Sequence, residues 1–320
     1  MYPDFSYIFH DLFGTAPDNG LSLIKTFGFF LAMAILASSY FLYLELKRKE
    51  ENGTLVPIQE TKKGKTIWIK PHDKTGDITL VAAFSGIAGA KIFALFESAA
   101  TFKAFLRDPV HTLFSGSGLA IYGGLIVAFI VVTWYVKRLG IKPIHLIDAT
   151  APSLMVGYGV GRLGCHFSGD GDWGIVAMNP KPGWASWIPD YWWSNSYPRN
   201  VLNEGTQMAD CIGNYCHQLV PGVYPTPLYE FIMAGIIFAI LWSLRKRLVR
   251  AGQLFFLYCF LNGIERFSIE KIRVNDKIHF AGLTFTQAEM ISFLLIFIGI
   301  IGFIICSLKK PDEPVQAKAE

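Results

Sequence analysis

Long uninterrupted apolar segments constrain the possible fold of this chain more than any other feature of its sequence. Each segment is roughly 20 residues long, which is the length a helix needs to cross the hydrocarbon core of a bilayer. Because backbone polar groups find no water there, each segment is predicted to be an α-helix. Seven transmembrane helices are predicted, at about 21–45, 78–100, 118–137, 144–165, 226–244, 253–271 and 288–308.

The composition agrees with this prediction and excludes several other classes. Hydrophobic residues make up 52% of the chain and charged residues only 17%, whereas a soluble domain contains about 25% charged residues. The net charge of +4 does not indicate a nucleic-acid partner, because the basic residues lie beside the apolar segments. We therefore expect an all-α polytopic membrane protein.

The distribution of basic residues predicts the orientation of the helices. Lysine and arginine favour cytoplasmic loops, and placing the basic loop after the first helix inside puts most other basic residues inside too. This predicts an outside N-terminus and an inside C-terminus. The acidic, aromatic N-terminus is not that of a cleavable signal peptide. The basic loops are 47–74, 137–142, 245–250 and 309–318.

Three further segments complete the predicted organisation. Residues 1–20 are amphipathic and are predicted to lie at the membrane interface, while 309–320 form a polar cytoplasmic tail. Between them, 21–308 is the membrane domain. Its outer loop, about 166–225, is too rich in tryptophan and tyrosine for disorder, and these residues favour the headgroup layer. We expect this loop to be a folded cap on the membrane.

Two cysteines, Cys211 and Cys216, share the outer loop. The outer compartment permits a disulfide between them, and a pair of unpaired thiols is the equal alternative. The histidines show no metal-ligand spacing, so neither a metal site nor a cofactor is predicted. Gly159–Gly164 matches a dinucleotide-binding pattern, but it closes a membrane helix instead of following a soluble strand.

The first candidate site lies where the fourth apolar segment changes into a polar, glycine-rich loop, Gly157–Gly174. It contains Arg162, and an arginine near membrane depth normally faces a cavity or an opposite charge. One interpretation is a structural ion pair with Asp170, Asp172 or Glu230. The other, which we favour, is a phosphate clamp, because a guanidinium matches phosphate geometry.

The sixth segment contains a second polar stripe. On a helix, Asn262, Arg266, Glu270 and Arg273 share one face, and a polar face at this depth must point into the bundle. An Arg–Glu pair there could simply join helices. It could also orient a functional guanidinium, with Glu270 positioning Arg266.

Small residues accompany polar ones in two earlier segments. Tyr122 stands beside Gly123 and Gly124, where its phenol could enter a tight cavity, although an interfacial tyrosine more commonly anchors a helix in the aromatic belt. In the second segment, Lys91 follows Gly86 and Gly89. In the fourth segment, the glycines of Gly159–Gly164 would let another helix, or a lipid, approach closely.

Taken in order, these motifs resemble the prolipoprotein diacylglyceryl transferase family. The similarity covers roughly residues 21–308, and the glycine–arginine motif after the fourth helix is its most specific part. The matching motifs are Gly89-Ala-Lys91, Asp108-Pro109, Tyr122-Gly-Gly-Leu125, Gly161-Arg-Leu-Gly164 followed by Gly169 to Gly174, Pro225-Thr-Pro-Leu-Tyr-Glu230, and Arg266-Phe-Ser-Ile-Glu270 with Arg273.

The resemblance implies a reaction in the bacterial cytoplasmic membrane, at its outer leaflet. The family transfers the diacylglyceryl group of phosphatidylglycerol to the lipobox cysteine thiol of a prolipoprotein signal peptide, releasing glycerol phosphate. It implies catalytic roles for Arg162, Arg266, Tyr122 and Glu270. The substrate-binding residues that it implies are Lys91, Gly123, Gly124, Gly164, Cys165, Asp170, Asp172, Gly174, Glu230 and Arg273.

Three departures from the family pattern bear on the chemistry. Tyr122 replaces a histidine and Cys165 an asparagine, while Asp170 or Asp172 takes the place of a glutamate. The general base is therefore either Tyr122, with its pKa lowered by a nearby arginine, or a carboxylate acting through water. An inactive family member that binds lipid or precursor is one alternative function. An anion or lipid transporter is another, although no internal repeat supports it.

Overall fold

The structure is a computed structural model that describes residues 1–62, 65–97, 99–109, 120–178, 180–275, 277–280 and 283–309. Three predicted features lie outside these residues: the tail from residue 310, the start of the third predicted helix, and His111, one of the histidines without metal-ligand spacing. The described residues are mostly helical, as predicted. In chain order the α-helices are α1 (Phe5–Phe13), α2 (Thr26–Glu51), α3 (Thr75–Glu97), α4 (Ala99–Arg107), α5 (Ile121–Arg138), α6 (Pro143–Ser168), α7 (Asp190–Trp193), α8 (Thr226–Leu244), α9 (Gln253–Glu270) and α10 (Gln287–Leu308).

Among the residues that the structure describes, five helical segments are long and apolar enough to cross a membrane, which confirms the predicted class of membrane protein. They correspond to α2, to α3 with the 3-10 turn before it, and to α5, α8 and α10. The two other predicted spans coincide with α6 and α9. Within its 18 residues α9 carries Glu265, Arg266 and Glu270, and such polar content lowers the mean hydropathy of a segment. The predicted total of seven spans stays a prediction.

The described strands form three antiparallel pairs, all in loops between helices. In the longest pair Ile58 faces Ile69. Such two-stranded ribbons shape a connection without forming a core of their own. The strands are β1 (Ile58–Lys62) with β2 (Lys65–Ile69), β3 (Thr206–Gln207) with β4 (His217–Gln218), and β5 (Lys277–Phe280) with β6 (Leu283–Thr286).

The described chain forms two compact units, one of which consists of Ser39–Ala149. In it α3 and α5 pack backbone to backbone at glycines. A Cβ added to Gly89 would lie 2.7 Å from the carbonyl oxygen of Gly123, and one added to Gly124 would lie 2.8 Å from that of Gly86. The small residues of both segments thus allow a close helix–helix approach.

The other unit combines Met1–Ser38 with Thr150–Pro311. Its apolar centre joins α6, α8 and α9 through Met155, Ile237 and Leu254. Helices α9 and α10 also approach closely, because a Cβ on Gly299 would lie only 2.6 Å from the amide nitrogen of Phe260. This unit contains both polar motifs that the sequence singled out.

The N-terminal segment packs against the long loop between α6 and α8. The side chain of Tyr7 is fully buried, and its hydroxyl accepts a hydrogen bond of 2.9 Å from the amide of Asn214. Cys211 and Cys216 are joined by a disulfide, which resolves the two alternatives left open by the sequence. The interfacial position of residues 1–20 stays a prediction.

Aromatic side chains hold the long loop together. Trp173 and Tyr197 pack in one cluster with Val223, and Trp193 packs with Tyr224 in another. These clusters bury aromatic area that would otherwise face water, which stabilises the loop. The loop leads from α6 directly into α8, so its packing determines where the ends of both helices lie.

Candidate active site

Arg162 lies near the C-terminal end of α6, six residues before Ser168. Its Nη1 donates a hydrogen bond to Oδ2 of Asp172, and its Nε lies 3.1 Å from Oε2 of Glu230. Of the three carboxylates that the sequence proposed as ion-pair partners, Asp172 and Glu230 are thus both used. The guanidinium is oriented by groups from the following loop and from α8.

Glu230 is the centre of the cluster. It is fully buried, at 0% exposure, in the second turn of α8. Besides Arg162, its carboxylate meets Nη1 of Arg273 at 3.5 Å and Nη1 of Arg266 at 3.9 Å. Burial of a charge is costly unless it is paired, so three guanidiniums around one carboxylate explain how Glu230 is accommodated.

Asp172 joins two of these arginines from the loop side. Its second oxygen, Oδ1, accepts a hydrogen bond of 2.6 Å from Nη2 of Arg273. Burial tends to raise the pKa of the Asp172 carboxyl, but Arg162 and Arg273 outweigh burial and lower its pKa below the usual 3.8. Burial and the neighbouring Asp172 together raise the pKa of Asp170. Two adjacent loop carboxyls therefore have pKa values shifted in opposite directions.

The lowered pKa predicts an acid-sensitive fold. The ionised form of Asp172 stabilises the folded protein above its unfolded pKa of 3.8, and this contribution is lost as the pH falls through the lower folded-state pKa. We expect Asp172→Asn to lower the melting temperature at neutral pH, with a difference from wild type that shrinks below pH 3.8. Thermal unfolding in detergent across a pH series measures this. A constant difference at every pH would contradict the assignment.

Arg273 is placed differently from the sequence prediction. It does not continue the helical stripe of Asn262, Arg266 and Glu270, because α9 ends at Glu270. Arg273 instead pairs in a β-bridge with Gly174. Asn262 also departs from the predicted cluster, since its amide contacts the sulfur of Met155 at 3.9 Å. The helical spacing was therefore extended wrongly to Arg273, which lies beyond the end of α9.

The bridge at Gly174 joins the loop after α6 to the end of α9. The Gly174 amide donates to the Tyr224 carbonyl at 2.9 Å, and the Ile175 amide donates to the Ile272 carbonyl at 2.8 Å. Thr226 donates its hydroxyl to the Asp172 carbonyl at 2.5 Å. Together these bonds hold the two segments that carry the paired charges.

Gly174→Ala is expected to disrupt this junction. The added Cβ would lie 2.4 Å from the Ile272 carbonyl oxygen and 2.9 Å from Cγ2 of Thr226, so backbone must shift. Overpacking of this kind costs about 1–3 kcal/mol. Gly235→Ala in α8 is the control, because its Cβ would meet no atom within 4 Å. Thermal unfolding should separate the two variants, and equal stability would contradict the close approach.

Arg266 has one close ion-pair partner and one nitrogen, Nη1, that makes no hydrogen bond to a described residue. Its Nη2 lies 2.8 Å from Oε2 of Glu270, and Asn275 in turn donates to Oε1 of Glu270 at 2.7 Å. This is the orienting role predicted for Glu270. The buried Nη1 of Arg266 makes no hydrogen bond to any described residue. One guanidinium edge is thus held by Glu270, while Nη1 lies 3.9 Å from Oε1 of Glu230 and has N–H groups without a hydrogen bond.

Two residues of the cluster, Tyr158 and Glu265, were missed as site residues. The hydroxyl oxygen of Tyr158 lies 3.1 Å from Oε1 of Glu230 and 3.1 Å from Oε1 of Glu265. The signals were present in the sequence. Tyr158 precedes Arg162 by one helical turn, which places both on one face, and Glu265 is a carboxyl within an apolar segment.

Cys165 lies beside the two loop aspartates. One ligand atom each from Cys165, Asp170 and Asp172 lies within 4.8 Å of the others. A thiolate and two carboxylates are a chemically reasonable donor set for a divalent ion. Here Asp172 already directs both oxygens to arginines, so metal binding would compete with those ion pairs.

The remaining predicted residue of α6, Gly164, has a packing contact. A Cβ at Gly164 would lie 2.9 Å from Cβ of Phe30, so this glycine lets α6 approach α2 closely. Whether lipid or peptide also reaches Gly164 stays a prediction.

Four predicted site residues belong to the other compact unit. Tyr122 is 40% exposed in the first turn of α5. Gly123 is buried against the side chain of Phe93, and Gly124 is buried against Gly86. The fourth residue, Lys91, lies in α3. The catalytic role of Tyr122 and the substrate-binding roles of the other three residues stay predictions.

The cluster is suited to binding an anion and stabilising developing negative charge. Guanidinium groups match the oxygens of a phosphate, and a preorganised, largely desolvated donor is more effective than one in water. Arg162, Arg266 and Arg273 converge from α6 and from the end of α9. Carboxylates hold all three in place before any ligand arrives.

Comparisons with known proteins agree with this chemistry. The family model described as prolipoprotein diacylglyceryl transferase matches residues 20–305. A phosphatidylglycerol–prolipoprotein diacylglyceryl transferase of Streptococcus sanguinis (strain SK36) is 31% identical over 239 residues, 73% of this chain and 79% of that protein. Another, from Xylella fastidiosa (strain M12), is 27% identical over 259 residues, 77% and 81% of the two chains. With nine-tenths of its length matched by one family model and with relatives of this name, the chain belongs to the prolipoprotein diacylglyceryl transferase family.

Proposed function

We propose that this protein transfers the diacylglyceryl group of phosphatidylglycerol to the lipobox cysteine thiol of prolipoproteins, the first step of lipoprotein maturation. The convergence of Arg162, Arg266 and Arg273 on buried Glu230 carries this proposal within the family. The reaction releases an anionic phosphate, and the cluster supplies cations where that charge must be bound.

The transfer exchanges one bond for another at a glyceryl carbon. The cysteine sulfur attacks the carbon bonded to the phosphate oxygen and forms a thioether, while the carbon–oxygen bond breaks. Both electrons of that bond stay with the departing phosphate. Glycerol phosphate leaves, and the thiol proton passes to a base. Since thiolate is the nucleophile, the enzyme must accept that proton and stabilise the leaving group.

The arginines can stabilise the leaving group while they stay paired with their carboxylates. A guanidinium has five N–H donors, and the ion pairs of the cluster use only some of them. Nη1 of Arg266 has no hydrogen-bond partner among the described residues. We infer that the phosphate binds there and to Arg162, with Glu270 and Asp172 orienting the two guanidiniums.

Two kinds of group are candidates for the base that accepts the thiol proton. Tyr122 replaces the family's histidine, and a tyrosine accepts a proton at neutral pH only when a nearby cation lowers its pKa. A carboxylate acting through water is the alternative. Lys91, Gly123 and Gly124 remain candidates for substrate binding, as do Cys165, Asp170 and Gly174.

The proposal includes an arrangement in the membrane. Helices α6 and α9 would cross the bilayer with the five apolar segments, giving seven spans with the N-terminus outside and the C-terminus inside. The loop at 166–225 would cap the site at the outer leaflet of the bacterial cytoplasmic membrane. The basic loops and aromatic content support this arrangement, which lets the lipid and the signal peptide enter sideways from the bilayer.

A defined transfer assay tests the proposal. Purified protein in detergent is mixed with phosphatidylglycerol and a synthetic lipobox peptide, and mass spectrometry follows both products. We expect a diacylglyceryl adduct on the peptide cysteine and released glycerol phosphate. A peptide with serine in place of that cysteine is the control, because its hydroxyl is a poor nucleophile at neutral pH.

The alternative functions have distinct outcomes in the same experiment. A folded sample that binds phosphatidylglycerol but forms neither product would identify an inactive family member, and the substitutions Tyr122 and Cys165 would explain it. Movement of phosphatidylglycerol across a proteoliposome membrane without peptide modification would identify a transporter. Either result would reject the transferase.

A further inference from the structure

The contact between Tyr158 and two buried carboxyls has a consequence for protonation. A phenol has one proton to donate, yet its oxygen lies 3.1 Å from an oxygen of Glu230 and 3.1 Å from an oxygen of Glu265. If both carboxyls were ionised, one contact would bring two oxygens together without a proton between them. One of the two carboxyls must therefore donate to the phenol.

The surroundings decide which carboxyl carries the proton. Glu230 contacts three guanidiniums, Arg162, Arg266 and Arg273, which favour its ionised form. Glu265 is 3% exposed, has no comparable ion pair among the described residues, and its Oε2 accepts no hydrogen bond from them. A buried carboxylate oxygen without a donor is costly, whereas the carbonyl oxygen of a neutral carboxyl is much less so.

The charge count of the cluster also favours a protonated Glu265. With Glu265 neutral, three arginines balance three carboxylates in direct contact with them, Asp172, Glu230 and Glu270. An ionised Glu265 would add a fourth negative charge beside Glu230 in a site that must attract a phosphate. The groups that face Glu265 are Tyr158 and Arg162 from α6, Glu230 from α8, and Arg266 and Tyr258 from its own helix.

We propose that Tyr158 and Glu265 are positioning residues: protonated Glu265 donates to Tyr158, which donates to Glu230, and this chain holds Glu230 as the carboxylate that orients Arg162. Its catalytic consequence rests on the proposed function, whereas the protonated state of Glu265 does not. The transfer reaction itself consumes no proton from the chain.

The proposal predicts different effects for conservative and disruptive substitutions. Glu265→Gln should keep transfer within about threefold of wild type, because its amide still donates to Tyr158 and stays neutral. Glu265→Leu and Tyr158→Phe should each lower kcat by at least about tenfold, the effect of losing a hydrogen bond to a charged group. Tyr40→Phe in α2, at a side chain that is 58% exposed, is the matched control and should behave as wild type.

A pH profile separates positioning from mere packing. Wild-type kcat should fall at alkaline pH as Glu265 loses its proton and repels Glu230. In Glu265→Gln that alkaline decline should disappear, because the amide does not ionise. An identical profile in both proteins would overturn the proposed role of Glu265.

Infrared spectroscopy tests the protonation without any activity. The wild-type spectrum in detergent at neutral pH should contain a protonated-carboxyl C=O band that is absent from Glu265→Gln and shifted in Tyr158→Phe. Glu204→Gln, at an exposed loop position, should leave the band unchanged. If Glu265→Gln retains the band, the proposal is wrong. If wild type shows the band but transfers no lipid, the proposed function fails while the protonation stands.

Discussion

Replacing Arg266 by alanine is expected to reduce kcat/KM for lipid transfer by about 10²- to 10³-fold or more, the effect of removing one preorganised donor to a developing anion. The side chain is held by Glu270 at 2.8 Å, while its Nη1 keeps a donor that no described residue uses. Arg162→Ala should have a comparable effect, because it removes the second guanidinium proposed to bind the phosphate. Initial rates with lipobox peptide and phosphatidylglycerol measure both.

Two further variants make this test specific. Arg266→Lys keeps the positive charge but loses the planar fork of donors, so its rate should lie between those of wild type and Arg266→Ala. Arg199→Ala removes a guanidinium that pairs with Asp11 at 3.1 Å, and it should transfer lipid normally. Full activity in both Arg162→Ala and Arg266→Ala, with each protein folded, would refute the phosphate-binding assignment.

Glu230→Ala should cause the largest loss of stability among single substitutions in the cluster. It leaves Arg162, Arg266 and Arg273 without the buried carboxylate that they share. Removing one partner of a buried ion pair typically costs about 3–5 kcal/mol. The free energy of unfolding, or the melting temperature in a mild detergent, measures this loss.

The comparison for Glu230→Ala needs two other substitutions. Glu230→Gln keeps the shape and one acceptor oxygen, so it should lose less stability than the alanine variant. Glu204→Ala, at an exposed loop position, should leave the unfolding free energy within about 0.5 kcal/mol of wild type. A Glu230→Ala protein as stable as Glu204→Ala would show that Glu230 does not hold the arginines together.

Several elements of the site were predictable because they depend on local pattern. Arg162 and Arg266 stand out as charges beside or within apolar segments, and the four-residue spacing of Arg266 and Glu270 predicts their contact. That contact is present in α9. Glu230 was also named as a partner of Arg162, and the structure places them 3.1 Å apart.

Other elements depend on where separate segments end. The helical spacing that paired Arg266 with Glu270 extended wrongly to Arg273, because α9 stops at Glu270. The sequence also left open whether Cys211 and Cys216 form a disulfide or remain free thiols. The contact between Tyr158 and Glu265 joins residues 107 positions apart, and neither side chain indicates its partner.

The class of protein, its helical segments and most of its candidate charged residues could be predicted from the sequence. These follow from hydropathy and from helical periodicity, which are properties of neighbouring residues. That three arginines share one buried carboxylate and that a tyrosine bridges two glutamates became clear only from the folded structure. Such contacts depend on the packing of α6, α8 and α9 and on the loop joined at Gly174. A buried charge is stable only with partners, and packing brings those partners from distant parts of the chain.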